Sequence, residues 1–128
     1  MAAYFDIATF TATLPFPPSV NNLFLNVARG GRVKSPRYRQ WEKDADAHKP
    51  AGIVKLQGDV IAVYTFGRPD KRRRDISNLE KAVGDTLVRW QALEDDSQIV
   101  DIRLRWGTPE DVKSGECRIE LIEAGVTR

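Results

Sequence analysis

The chain has 128 residues, of which 41% are hydrophobic and 30% are charged, a composition that excludes a disordered chain and suffices for one core. The formal net charge is only +2, so the overall charge alone does not indicate a nucleic-acid partner. No apolar run reaches the roughly 20 residues that span a bilayer, and the N-terminus lacks the features of a signal peptide. With Cys117 as the single cysteine, we expect one domain, residues 1–128, in a reducing cytoplasm and without a membrane partner.

The first half of the chain is predicted to contain one strand, one long loop and one helix. Alternating apolar residues predict the strand over residues 5–14, and the prolines that follow end it because proline cannot donate to a sheet ladder. The stretch "VNNLFLNVARGGRVK", residues 20–34, has no clean periodicity and is predicted to be a long loop. A helix then begins after Ser35, a good N-cap, with Pro36 at its first position.

The second half begins with a predicted strand over residues 55–66, centred on "DVIAVYTF". The clearest helical pattern of the chain follows over residues 77–90, where apolar residues recur at helical spacing. Ser77 and Glu80 have the S-x-x-E spacing of a capping box, which predicts that Ser77 is the N-cap of this helix.

Two further strands are predicted over residues 99–106 and 117–122, with residues 107–116 as the hairpin turn between them. The first of them alternates, which places four apolar side chains inward: Val100, Ile102, Leu104 and Trp106. A short connection requires this last pair to be antiparallel. The predicted class is therefore α+β, with a mixed sheet of about four strands, two helices on one face and the order β-α-β-α-β-β.

Basic side chains are concentrated in two short segments, which contain half of the 20 Lys and Arg residues. The first segment, residues 29–39, contains Arg29, Arg32, Lys34, Arg37 and Arg39, and the second, residues 68–74, contains Arg68, Lys71, Arg72, Arg73 and Arg74. Two interpretations remain open. The segments are either two solvated charged loops or two walls of one surface that binds a polyanion.

Several acidic residues border the second predicted helix. Asp75 lies just before it, where helix N-termini favour anions, and Asp95 and Asp96 are adjacent after its end. Adjacent acids that repel each other suit a divalent cation, since Mg²⁺ is held by one or two carboxylates with water and phosphate oxygens. Lys81 would stabilise a developing anion in phosphodiester hydrolysis. The alternative is structural, with Asp75 as a cap and the two adjacent acids in a plain loop.

Three stretches stand out in this order: "LPFPPSVNN", "RRRDISNLEKAVGDTL" and "EDDSQIVD". Together they resemble the RusA family of Holliday-junction resolvases over roughly residues 10–123. The resemblance implies a homodimer that binds four-way junction DNA and nicks two strands symmetrically with Mg²⁺, or with Mn²⁺ as a substitute. It implies Asp75, Lys81 and Asp96 as catalytic residues, with Asp95 beside Asp75 and Asp96 at the metal. It also implies a nucleoid-associated protein of the bacterial cytoplasm, of phage or chromosomal origin.

The resemblance makes the basic segments a DNA-binding surface, with these residues as its phosphate contacts: Arg29, Arg32, Lys34, Arg68, Lys71, Arg72, Arg73 and Arg74. One position departs from the family pattern Asp-Leu-Asp-Asn, because Ser77 stands where the second aspartate is expected. Two consequences are open: an active site with one carboxylate fewer, or a protein that binds junctions without cutting them. Candidates for a substitute acid are Asp70, Asp85 and Asp101. Phe24, in the long loop, is a candidate for stacking on bases.

Overall fold

A computed structural model describes residues 9–124 of the chain. In chain order the regular elements are β1 (Phe10–Pro15), β2 (Phe24–Asn26), β3 (Arg32–Lys34), α1 (Pro36–Asp46), β4 (Val60–Phe66), α2 (Glu80–Arg89), β5 (Ile99–Trp106) and β6 (Glu116–Glu123). Short 3₁₀ turns at Val20–Asn22, Ile76–Leu79 and Asp96–Gln98 precede β2, α2 and β5. None of the helices within the described part of the chain has the length and apolar character to cross a membrane.

Four strands form one mixed sheet in the order β1-β6-β4-β5. Strand β4 pairs in parallel with β5 and antiparallel with β6, and β6 also pairs antiparallel with β1. The two helices pack against the same face, where Trp41 of α1 and Leu87 of α2 share one apolar cluster with Phe66 of β4 and Ile119 of β6. The predicted α+β class, with a four-stranded mixed sheet and two helices on one face, is confirmed.

The region predicted as a long loop, residues 20–34, contains a two-stranded antiparallel ribbon made by β2 and β3. The ribbon lacked a periodic signal because its side chains are mostly exposed, so neither face needs to be apolar. Phe24 is an exception, since its ring packs edge-on against Tyr38 at 5.9 Å and lies under the Arg32 guanidinium at 4.6 Å. These contacts favour a packing role for Phe24 over base stacking.

The prediction of a hairpin between the last two strands was wrong, because β4 lies between β5 and β6. The strands do run antiparallel, but residues 107–116 cross the end of β4 to join them. The crossing is close at Gly67, where an added Cβ would lie 2.0 Å from the carbonyl oxygen of Lys113. Backbone bonds tie the crossing down, with the Gly67 amide donating to Glu116 and the Gly115 amide donating to Gly67.

Strand β5 does not have the predicted inward face at its beginning. Val60 of β4 pairs with Ile99 and the next residue pairs with Asp101, so Val100 is a bulge residue without a partner on β4. Val100 is therefore 58% exposed, and the β5 residues that pack against the core are Ile99, Leu104 and Trp106. Ile102 itself remains 39% exposed because β5 is the edge strand of the sheet.

Three predicted boundaries shift. The strand predicted over residues 5–14 is observed as β1 from Phe10, and its first residues up to 8 lie outside the described part of the chain. Strand β4 begins at Val60 rather than at residue 55, because the preceding loop turns through Gly58 at a φ of 73°. The segment of residues 77–90 begins as a 3₁₀ turn, so its α-helical part starts only at Glu80.

The predicted capping box at Ser77 was wrong. Asp75 is the N-cap of the 3₁₀ turn Ile76–Leu79 and its side chain makes no capping hydrogen bond. The α-helical part has Leu79 in its N-cap position, also without a side-chain bond. Because the chain enters α2 through a 3₁₀ turn, Ser77 and Glu80 do not occupy the N-cap and N3 positions of one α-helix. Neither side chain therefore caps the beginning of the helix.

Candidate active site

A cavity of about 480 Å³ opens beside the N-terminal end of the α2 region. Asp75 and Asn78 lie on one side of it, with Phe16 and Trp41 among its apolar lining residues. Arg37 from the first basic segment lines the same cavity as Arg72, Arg73 and Arg74 from the second. The fold thus brings residues of the two basic segments to one concave surface beside Asp75, whose carboxylate makes no ion pair within residues 9–124.

Other basic residues of the two segments stack on aromatic rings. The Arg68 guanidinium lies 4.1 Å from the Trp106 ring centroid, and the Lys34 ammonium lies 5.4 Å from that of Tyr38. Lys34 also pairs with Glu42 at 2.9 Å. Such contacts fix the stems of these side chains while their charge still faces solvent. Two further predicted contacts, Arg29 and Lys71, are exposed and stack on no aromatic ring of the described residues.

Asp70 organises the arginine run that precedes Asp75. Its carboxylate accepts hydrogen bonds from the Arg74 guanidinium at 2.7 Å and from the Arg72 backbone amide at 2.9 Å. These bonds, first that of Arg74, hold the pKa of the Asp70 carboxyl well below its usual range. Arg73 has no comparable ion pair among the described residues and is exposed at the cavity. Its guanidinium is therefore available to a phosphate group.

A second, smaller cavity of about 210 Å³ lies between the first turns of α2 and the edge strand β5. Its lining residues are Tyr64, Glu80, Lys81, Gly84, Asp96, Ile99 and Ile102. Asp96 begins the 3₁₀ turn that leads into β5, so the chain returns to the beginning of α2 within one subunit. The fold brings together Lys81 and Asp96, two of the three predicted catalytic residues, while Asp75 lines the other cavity.

Similarity to known proteins identifies the family of this chain. Residues 15–122 match the family described as endodeoxyribonuclease RusA. The chain belongs to the RusA family. Proteins named crossover junction endodeoxyribonuclease RusA from Escherichia coli strain K12 and from Enterobacteria phage 82 are 33% and 34% identical to it, each over 75% of this chain and 81% of the relative. The protein of that name from Enterobacteria phage HK97 is 32% identical over 86% and 91%.

Lys81 and Asp95, two of the residues that the RusA resemblance implied, already have partners in the structure. Lys81 pairs with Asp85 at 3.3 Å, one turn further along α2. The Asp95 carboxylate caps the 3₁₀ turn Asp96–Gln98 and accepts hydrogen bonds from the hydroxyl and the amide of Ser97. The hydroxyl bond, followed by the amide bond, lowers the pKa of Asp95. Asp95 therefore shapes the turn that presents Asp96.

The three acids suggested as substitutes for the missing RusA aspartate all have cationic or hydroxyl partners. Asp70 is bonded by Arg72 and Arg74, as described above. Asp85 pairs with Lys81 and accepts a hydrogen bond from the Tyr38 hydroxyl at 3.2 Å. The Asp101 carboxylate lies 3.6 Å from the Arg103 guanidinium. By contrast, the carboxylates of Glu80 and Asp96 make no ion pair or hydrogen bond within the part of the chain that the structure describes.

The smaller cavity also contains a buried hydroxyl without a partner. Tyr64 is 1% exposed, and its hydroxyl makes no hydrogen bond in the described structure. Burial raises the pKa of the Tyr64 hydroxyl above its ordinary range, and the neighbouring side chains of Cys117, Glu80 and Asp96 raise it further. No sequence pattern singled out Tyr64 or Glu80 as a lining residue, because Tyr64 lies within a predicted strand and Glu80 matched half of a capping box.

The oxygen donors of this cavity fit an open cation site better than a closed one. Within residues 9–124 no group of three or more His, Cys, Asp and Glu side chains is arranged to hold a metal. Mg²⁺ commonly keeps several waters and binds through one or two carboxylates together with substrate phosphates. Two unpaired carboxylates, those of Glu80 and Asp96, and the Tyr64 hydroxyl line one small space, which matches the open arrangement.

Proposed function

We propose that this RusA-family protein is a Holliday-junction resolvase. It acts as a homodimer that hydrolyses phosphodiester bonds and nicks two strands of a four-way DNA junction symmetrically, in recombination and repair. The observation that carries the proposal is the match to the RusA family over residues 15–122, together with relatives named crossover junction endodeoxyribonuclease. A two-fold dimer suits this substrate because it presents two equivalent sites to two equivalent strands.

The DNA would bind across the two basic segments. The cavity beside Asp75 is lined by Arg37 and by three consecutive arginines, Arg72, Arg73 and Arg74, a spacing of charge that suits successive backbone phosphates. The same surface would extend to the duplex arms through five further basic residues: Arg29, Arg32, Lys34, Arg68 and Lys71. Contacts of this kind position the DNA without reading its bases, which is what a nuclease selective for junction shape requires.

The reaction would require a divalent cation, Mg²⁺ or Mn²⁺, held by Asp75 and Asp96 with Asp95 beside them. When bound, the cation activates water and offsets charge on the leaving oxygen. Asp75 lies next to the arginines that would hold the scissile backbone, and Asp96 and Lys81 both line the smaller cavity. The Lys81 side chain is half exposed, so its ammonium can approach a phosphate and stabilise the negative charge that develops there.

We further propose that residues 1–128 form a single domain that works in the cytoplasm of a bacterial cell, at the nucleoid, and that the gene is of phage or chromosomal origin. RusA relatives from both Escherichia coli and phages support this range of origins. The absence of a membrane-spanning helix within residues 9–124 is compatible with a protein whose substrate is DNA.

The alternative function is a junction-binding protein with weak or no cleavage. Ser77 favours it, because the family pattern has a second aspartate at this position and Ser77 supplies only a hydroxyl. A site with one acidic ligand fewer attracts a divalent cation less strongly. The DNA-binding surface would be unaffected, since the arginines lie on the other side of Asp75 in the sequence.

A cleavage assay on a mobile four-way junction, with Mg²⁺ or Mn²⁺, separates the two functions. The natural protein is compared with Asp75→Asn and Ser77→Asp variants, and binding is measured in parallel by gel shift. The resolvase proposal predicts paired nicks from the natural protein, lost in Asp75→Asn while binding is retained. Tight binding without nicks in the natural protein, with nicks gained in Ser77→Asp, would support the alternative instead.

A further inference from the structure

We propose that Glu80 is a ligand of the catalytic cation and supplies, beside Asp96, the carboxylate that Ser77 does not provide. The inference rests on the proposed nuclease function and assigns a residue to its site. It differs from the expectation that an aspartate elsewhere in the chain takes over. Glu80 stands two residues after Asn78 and is the first residue of α2.

The environment of Glu80 is the first observation that supports this role. Its half-buried side chain lines the smaller cavity together with Asp96, and neither carboxylate has an ion pair or hydrogen bond within residues 9–124. Two like charges that face one small space repel each other unless a cation lies between them. Every aspartate suggested as a substitute, Asp70, Asp85 and Asp101, is already paired with a basic side chain.

Tyr64 is the second and independent observation. Its side chain lies in the sheet beneath the cavity, is 1% exposed, and has a hydroxyl with no hydrogen-bond partner in the described residues. A buried hydroxyl is expected to have a partner, so one left unsatisfied beside two carboxylates points to a water or ligand that completes it. A cation-bound water would accept or donate that bond, and the tyrosine would orient it as an outer-shell partner.

The local backbone leaves room for an ion and its waters. Gly84 lies one helical turn after Glu80 and lines the same cavity, and a Cβ built on it would meet no atom of a described neighbouring residue within 4 Å. The helix surface beside the Glu80 carboxylate is therefore open. The bulge at Val100 directs Ile99 and Ile102 onto the other wall, so the edge strand is apolar where it faces the ion.

The test is Mn²⁺ binding to the full-length protein, measured by EPR of the free ion without DNA, for Glu80→Gln and for Glu110→Gln. Glu110 is exposed in the crossing loop and lines neither cavity, so Glu110→Gln removes the same charge at a position outside both cavities. We expect Glu80→Gln to weaken Mn²⁺ binding by more than about tenfold, because even outer-shell partners are worth about 10- to 100-fold in metal affinity. Glu110→Gln should bind Mn²⁺ as the natural protein does.

Junction cleavage is measured on the same samples, so that failure of the ligand assignment and failure of the nuclease proposal can be told apart. Cleavage by the natural protein with unchanged Mn²⁺ binding in Glu80→Gln would overturn the assignment and leave the resolvase proposal intact. Weakened Mn²⁺ binding in Glu80→Gln without cleavage by the natural protein would support the assignment and contradict the resolvase. Absence of measurable Mn²⁺ binding by the natural protein would overturn the assignment.

Discussion

At the scale of the residue, the partners of each acidic side chain indicate which acids are available for chemistry. Asp70 orders the arginine run and Asp95 caps a 3₁₀ turn, so both contribute to the shape of the site. Asp75, Glu80 and Asp96 make no ion pair among the described residues, although Lys and Arg side chains are abundant nearby. Unpaired acids close to basic side chains are what a cation-binding, phosphate-binding surface requires.

Removal of the Tyr64 hydroxyl tests how much this buried, unsatisfied group lowers the stability of the protein. The Tyr64→Phe variant loses an unsatisfied buried group, so its free energy of unfolding without metal is expected to rise by about 1–3 kcal/mol. Its affinity for Mn²⁺ is expected to fall. Tyr38→Phe is the matched control, because the Tyr38 hydroxyl donates to Asp85 at 3.2 Å and its loss should destabilise the protein by about 1 kcal/mol. Urea titrations with and without Mn²⁺ measure both quantities.

A Tyr64→Phe protein that is less stable than the natural one without metal would show that a partner other than the cation and its waters satisfies the hydroxyl in the folded state. Equal Mn²⁺ affinity in the two proteins would separate Tyr64 from the cation. Either result would contradict the role given to this residue.

At the scale of the element, hydrophobic patterns predicted both helices, the four strands of the sheet and the class, because each helix has one apolar stripe and each strand is an apolar run or alternates. Two features could not be predicted in this way. The β5 bulge at Val100 depends on the pairing with β4, and the separation of β5 from β6 depends on which edge of β4 each strand occupies. Both are properties of register and order between strands, which the pattern of one strand does not contain.

The crossing of residues 107–116 over the end of β4 makes a prediction about stability. In Gly67→Ala the new Cβ would lie 2.0 Å from the Lys113 carbonyl oxygen, so the backbone must shift and the protein should lose about 1–3 kcal/mol of stability. Gly84→Ala adds the same methyl group to open space in α2 and should stabilise the protein by about 1 kcal/mol. Thermal unfolding of both variants checks the pair.

Equal unfolding temperatures for the two alanine variants would contradict the close crossing. A difference in the predicted direction would support the observed strand order, because a hairpin between adjacent strands would not bring Lys113 against Gly67.

At the scale of the whole molecule, the fold brings residues from two basic segments, separated by about thirty residues of sequence, to one cavity. The clustering of charge in the sequence predicted either two solvated loops or one shared surface. Only the packing of α1 beside the turn that precedes α2 could decide between them, and the lining of the cavity by Arg37 and Arg73 favours the shared surface.

This surface predicts that the affinity for a four-way junction falls steeply with salt, since counterions are released from each neutralised phosphate. Arg73→Ala should weaken binding and reduce the slope of log K against log salt concentration by about 1. Lys49→Ala, which removes a charge outside both segments, should leave the slope unchanged. Fluorescence anisotropy of a labelled junction between low and physiological salt provides the measurement, and a flat salt dependence would exclude a phosphate-binding role for the segments.

The most direct test of the central claim uses a supercoiled plasmid that extrudes a cruciform, incubated with the natural protein and Mg²⁺. A dimeric resolvase nicks two strands of the junction at symmetric positions, so we expect a linear product, which Asp96→Asn should not form. A plasmid without the cruciform should remain supercoiled. Nicked circles alone, or equal cutting of both plasmids, would contradict the claim that this protein resolves four-way junctions.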